Sequence, residues 1–112
     1  MEKNSKIIRT WKGWTSLENA PIYKDMLVNE VFPAVKKKGV DGLEKVSISV
    51  QNKSNEVEFF LVLQFESLHA LKTFEGENYE IAYIPDNAKE VLSRYDEKTE
   101  HYEFIEELVF NH

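Results

Sequence analysis

Few groups in this 112-residue chain can move a proton near neutral pH, since it has no cysteine and three histidines. His101 is the candidate base: it lies in an alternating stretch, residues 101–106, whereas His69 falls on a helical pattern and His112 ends the sequence. Imidazole is also the side chain that titrates closest to neutrality. Arg9 is the candidate cation to steady an anion formed beside that base. Trp11, Trp14, Tyr79 and Tyr83 offer flat faces for stacking on an aromatic molecule, and Gln64 offers a neutral donor and acceptor. Together these types suit abstraction of a proton from an electron-rich substrate whose anion is then held in place. The competing assignment is structural, with Arg9 and His101 paired to Glu58 or Glu103 across a sheet and the aromatics serving as packing.

Other chemistries lack their residues. His101 and Glu103 share one strand face, but no third ligand stands at a recognisable spacing and no HExxH-type motif occurs, so no metal site is expected. Gly13, Gly39, Gly42 and Gly76 are scattered, which leaves no Gly-rich cradle for phosphates and no indication of a nucleotide cofactor. A net charge of −6 excludes the basic footprint that nucleic acid requires. Lys36, Lys37 and Lys38 read as cations at the negative end of a helix dipole. The first residues lack the apolar core of a secretion signal, and no apolar run is long enough to span a bilayer. The expectation is a cytoplasmic protein without nucleic-acid or membrane partners, built as a single domain over residues 1–112.

The elements that must position these residues follow from periodicity. Residues 6–11 predict a strand ending at Lys12-Gly13, with Ile7, Arg9 and Trp11 on one face. A helix follows, starting at a Thr15/Glu18 capping box or at Asn19-Ala20-Pro21, with apolar residues Tyr23, Met26, Leu27, Val31, Ala34 and Val35 at helical spacing. Pro33 should disturb it by removing the bond back to Asn29, and Gly39 should end it. Residues 44–51 alternate as a strand, and residues 52–55 turn the chain into a second strand over residues 56–65. Ser67 caps a helix through Phe74, Tyr79 to Tyr83 form a further helical turn or tight loop, and Ala88, Val91, Leu92 and Tyr95 predict another helix. Residues 101–106 are the last strand, and the apolar tail Leu108, Val109, Phe110 is expected to dock on something.

This order predicts an α+β, ferredoxin-like βαββαβ fold whose helices lie on one face of a four-stranded antiparallel sheet. The strand at residues 56–65 is apolar on both faces, so the face carrying Glu58, Phe60, Val62 and Gln64 needs a cover. Ile7, Trp11 and Ile105 are expected to share that bare face. Association is the simplest cover, with Glu58, Phe60 and Val62 in a sheet-to-sheet homodimer interface.

The passages IIRTWKGWT, LENAPIYKDML, NEVFPAVKKKGVDGL and FESLHALKTFEGENYEIAYIPDNAKEVLSRYDEKTEHYE make the chain resemble the antibiotic biosynthesis monooxygenase type of dimeric α/β-barrel proteins, over nearly its whole length. The resemblance implies a ferredoxin-like protomer that dimerises sheet to sheet. It also implies a small aromatic or polyketide-like ligand, oxidised without a cofactor by relatives that act on polycyclic phenols. Two alternatives come with it: a non-catalytic small-molecule-binding or stress-response dimer, and a haem-degrading monooxygenase. The haem branch would need an Asn on the first strand, a Trp in the third-strand region and a helix His on iron. Here the first strand offers Arg9 and Trp11, the third strand carries Phe, and His69 is the one candidate helix histidine.

Overall fold

The computed structural model describes residues 5–111. In chain order the elements are β1 (Ile7–Thr15), α1 (Ala20–Met26), a π turn (Leu27–Val31), α2 (Phe32–Lys37), β2 (Leu43–Asn52), β3 (Val57–Phe65), α3 (Leu68–Glu75), α4 (Asp86–Val91), β4 (Leu92–Tyr95) and β5 (Glu100–Glu103). All pairings are antiparallel, in the order β2-β3-β1-β4, and β5 also pairs with β1. β4 takes Gly13–Thr15 and β5 takes Ile7–Thr10 along the same edge of β1; the last strand expected over residues 101–106 is the shorter β5, and it shares its edge with β4, which lies where the spacing predicts a helix. The ferredoxin-like order is thereby preserved.

Three expectations change, each for a local reason. β1 does not stop at Gly13 but runs to Thr15, because Gly13 is where the Trp11 ring folds back over the strand: a Cβ there would lie 2.5 Å from Trp11 Cη2. Thr15 is therefore a buried strand residue rather than a helix cap, and the first helix starts after Asn19 with Pro21 in its first turn. The i, i+3 spacing of Leu92 and Tyr95 belongs to a strand with a bulge. Leu92 faces Thr15, Arg94 faces Trp14 and Tyr95 faces Gly13, so Ser93 is the extra residue and both apolar side chains return to the same face. Its hydroxyl donates to Trp14 O at 3.0 Å.

The disturbance expected from Pro33 takes the form of the π turn. The Phe32 N–H reaches back to Leu27 O, one residue further than an α bond, so the register slips just before the residue that cannot donate. Gly39, at φ +68°, follows the lysines that close α2. α3 matches its reading, since Ser67 Oγ accepts from the Ala70 N–H at 3.1 Å and Gly76 follows at φ +85°. Residues 79–83 form a loop without a further helix.

The core lies between the helices and one sheet face: Val57, Phe59, Leu61, Leu63 and Phe65 of β3, with Ile7 and Trp11 of β1, against Tyr23, Met26, Leu27, Leu71 and Ala88. Tyr23 meets Phe59 edge-on at 4.8 Å. This corrects the assignment of Ile7 and Trp11 to the bare face, because register places them opposite Phe65 and Leu61. Ile105 lies beyond β5 and is exposed.

Two glycines rank the backbone constraints. At Gly42, with φ +88°, an added Cβ would run into the Ala70 methyl, whereas Gly39 faces open space. We expect Gly42→Ala to lower unfolding free energy by about 2–3 kcal/mol through overpacking plus strain. Gly39→Ala should lower it by about 1 kcal/mol from strain alone. Urea denaturation checks the order, and equal costs would contradict it.

Candidate functional site

Antiparallel register places Arg9 between Leu63 of β3 and His101 of β5, and directly opposed residues share a sheet face. The cation and the imidazole therefore both lie on the helix-covered side. Arg9 is only 8% exposed, long enough to cross the core boundary and meet the end of α3. Its Nη2 donates to Glu75 Oε2 at 3.1 Å and to Tyr79 O at 3.4 Å. Its Nε is buried and has no partner among the described residues. Such an orphaned donor is a place for an acceptor oxygen from a ligand or water.

Tyr79 joins the two functional side chains. Its carbonyl accepts from Arg9 and, at 3.0 Å, from the Thr99 hydroxyl, which stands 3.5 Å from His101 Nε2. Its ring meets the His101 ring edge-on, with centroids 5.0 Å apart and planes at 87°. The loop is laid along residues 97–99 by three further links: Thr99 N–H to Glu80 O at 2.7 Å, Ala82 N–H to Glu97 O at 2.9 Å, and a bridge between Ile81 and Lys98.

Burial sets the electrostatics. Desolvation lowers the His101 pKa, and the nearby positive charge of Arg9 lowers it further against a weaker pull from Glu80, so the imidazole is neutral at pH 7. Desolvation pushes the Glu75 carboxyl up and the Arg9 guanidinium down, each partly offset by the other's charge. At 3.1 Å the two side chains form a buried ion pair whose mutual attraction offsets part of that cost. The arrangement offers a neutral base, a buried cation whose Nε is unpaired among the described residues, and an aromatic wall.

Trp11 shares this side of the sheet, with its Nε1 donating to Asp96 O at 2.7 Å. The other candidates do not join it. Trp14 and Gln64 belong to the opposite face, where Trp14 Nε1 donates to Glu58 at 3.2 Å beneath the Arg94 guanidinium and Gln64 donates to Glu44 at 2.8 Å. Tyr83 is 81% exposed. Two surface concavities, about 440 and 400 Å³, flank Ile81. Tyr79, Lys72 and Lys98 line the first and Tyr83, Tyr95 and Lys89 the second, and Tyr79 connects the first to the Arg9 site.

Glu75 and Thr99 are the residues that sequence reasoning missed. Glu75 opens the acidic stretch of residues 75–80, whose composition suits a solvated surface. Its position four residues after the fully buried Leu71 places it on the inward stripe of α3, and that spacing could have found it. Thr99 carries no such signal.

No family model matches the chain, and no curated protein matches it. A solved structure does, the crystal structure of a "Putative Antibiotic Biosynthesis Monooxygenase" from Bacillus cereus. The TM-score is 0.66 over 95% of this chain and 99% of that one, at 17% identity. The chain shares that ferredoxin-like fold. The likeness is one of backbone, and the roles of Arg9, Glu75 and His101 rest on their own geometry.

Two outcomes test the electrostatics. NMR titration of the imidazoles should give His101 a midpoint below the ordinary 6.5, moving upward in Arg9→Gln as the neighbouring positive charge is removed. Arg9→Met should lower unfolding free energy by about 3 kcal/mol because it strands a buried carboxylate, whereas Arg9→Met/Glu75→Met should recover most of that loss. A double variant no more stable than the single would contradict the buried pair.

Proposed function

We propose that the protein is a cofactor-independent oxygenase of a small aromatic or polyketide-like molecule, working as a sheet-to-sheet homodimer. The observation that carries this reading is the pairing of Arg9 with His101 on the helix-covered face, beside the aromatic wall of Tyr79. His101 would accept the proton of an acidic C–H in a polycyclic phenol, Arg9 Nε would hold the resulting enolate oxygen, and Tyr79 and Trp11 would flank the rings. The carbanion reduces dioxygen and combines with it. Loss of water from the carbon-bound hydroperoxide then leaves a carbonyl, so CH2 plus O2 becomes C=O plus H2O, with all electrons from the substrate. No metal or cofactor is called on. A haem role lacks its helix ligand, since His69 is exposed on α3.

A second reading is favoured by one contact. Glu75 already occupies Arg9 Nη2, as expected if the space beside His101 is a filled structural site in a non-catalytic binding or stress-response dimer.

Oxygen-electrode measurements with the purified protein and a panel of polycyclic phenols separate the two. The oxygenase should consume oxygen at a rate that rises with pH through the depressed His101 pKa and then levels. His101→Ala should lose about 100-fold or more. Full activity in His101→Ala sinks the acid-base assignment, and no uptake across the panel favours the binding dimer. For the dimer itself, Phe60→Glu should yield monomers in sedimentation where the wild type yields dimers. A wild-type monomer at micromolar concentration would refute the sheet-to-sheet pairing.

A further inference from the structure

Thr99 stands where the Arg9 half of the site meets the His101 half. It directly precedes β5 and lies two residues before His101, the spacing that puts side chains of an extended chain on one face. Its backbone is pinned, because the Thr99 N–H donates to Glu80 O at 2.7 Å beside the bridge between Ile81 and Lys98. At 6% exposure its hydroxyl is shut away from water, so protein groups must serve it.

A hydroxyl has one proton to give. Two acceptors are in range of this one, Tyr79 O at 3.0 Å and His101 Nε2 at 3.5 Å. The carbonyl is the nearer and can only accept, so the proton goes there. Thr99 Oγ1 then turns lone pairs alone toward the imidazole, and the contact with His101 is attractive only when Nε2 carries the hydrogen. In a neutral imidazole that leaves Nδ1 bare, and Nδ1 has no partner among the described residues. A half-turn of the ring would exchange the two nitrogens. The Tyr79 ring, packed edge-on with its centroid 5.0 Å from that of His101, stands against that turn. Donor directions therefore run one way along the site: Arg9 and Thr99 donate to Tyr79 O, and His101 donates to Thr99.

We propose that Thr99 is a positioning residue whose hydroxyl oxygen accepts the Nε2–H of His101, holds the imidazole in that tautomer and leaves Nδ1 as the atom that takes the substrate proton. The tautomer stands on the contacts around Thr99, whereas the role of Nδ1 rests on the oxygenase reading. In that step the substrate C–H bond breaks, its electron pair stays with the substrate as the enolate, and the proton goes to Nδ1. The imidazolium so formed bears hydrogen on both nitrogens, and its Nε2–H bond to Thr99 strengthens as the charge develops.

The test uses the full-length chain labelled with 15N. Long-range 1H–15N NMR, at a pH above the imidazole titrations, reads the tautomer of each histidine, with His69, exposed on α3, as the reference for a ring in water. His101 should be held as Nε2–H. Thr99→Val keeps the shape and removes the acceptor, so the ratio of Nε2–H to Nδ1–H should fall about tenfold, the worth of one hydrogen bond. Thr99→Ser should restore it, which a purely structural loss would not. With a phenol that supports oxygen uptake, Thr99→Val should lower kcat about tenfold with KM within about twofold, and Thr99→Ser should recover most of the rate. A wild-type His101 held as Nδ1–H, or a ratio unchanged in Thr99→Val, overturns the Thr99 bond. Full kcat in Thr99→Val overturns the role of Nδ1. No oxygen uptake across the panel removes the oxygenase reading and the Nδ1 role with it, while the tautomer ratio still decides the bond to Thr99.

Discussion

The strict alternation of β1 is the constraint on which the rest depends. β1 is paired along its whole length with β3 on one edge, and on the other with β5 at Ile7–Thr10 and β4 at Gly13–Thr15, so it ties the two later strands to the sheet. Because side chains alternate, fixing Ile7 opposite Phe65 fixes every other residue of the strand. Ile7, Arg9, Trp11, Gly13 and Thr15 go to the helices, and Ile8, Thr10, Lys12 and Trp14 go to the open face. A one-residue slip would bury Lys12 and expose Ile7 and Trp11, and the helix-side core holds the register against it. Arg9 is carried inward by the same lock, since a position between two core residues leaves its guanidinium nowhere else to go. Its length lets it reach the rim of the core, where Glu75 and the Tyr79 carbonyl receive it.

Much of this was legible where a residue acts locally. Ser67 and Gly76 bounded α3, the turn at residues 52–55 joined β2 to β3, and the two faces of β3 were read correctly from a period of two. What escaped were facts of register and long-range pairing. Nothing local distinguishes Leu92 and Tyr95 on a helix from the same residues on either side of a bulge at Ser93, because both conformations return them to one face. The pairing of Ile7 and Trp11 with the buried rather than the bare face of β3 depends on which residue of β1 meets Phe65, and alternation is silent on that choice. Arg9 and His101 could be named from their types, but Glu75 could not be joined to them until α3 was seen to end over β1.

Burial of the Arg9–Glu75 pair explains why the site is closed. Two charges taken from water need their remaining hydrogen-bonding capacity filled, and here the loop at residues 79–82 contributes by lending the Tyr79 carbonyl to both Arg9 and Thr99. The loop is thereby held by the same cation it covers. A ligand that reaches Arg9 must satisfy the guanidinium at least as well as Tyr79 O does, and an anionic oxygen can. Entry of such a ligand and loosening of the loop are then linked, because the Tyr79 carbonyl gives up its bond from Arg9 as the ligand gains one. The first concavity, lined by Tyr79 with Lys72 and Lys98 balanced by Glu77 and Glu80, lies against this loop.

The open face is not uniform, and its gradient matters for what can cover it. At one end Trp14 is already buried in a monomer, under Arg94 at 3.9 Å and against Glu58, which also meets Lys12 and Lys53. That end is an ion-pair cluster around an indole, satisfied internally and poor in free apolar surface. Toward the other end the carboxylate cluster gives way to Phe60, Val62 and Ile8, with Tyr102 half exposed beside them. Hydrophobic association is therefore worth more at the Ile8 end, which is also where the chain leaves β5 and crosses toward Lys45. An interface centred there would bury the apolar residues while leaving the Glu58 cluster at its rim, where charged pairs remain hydrated and cost little to keep.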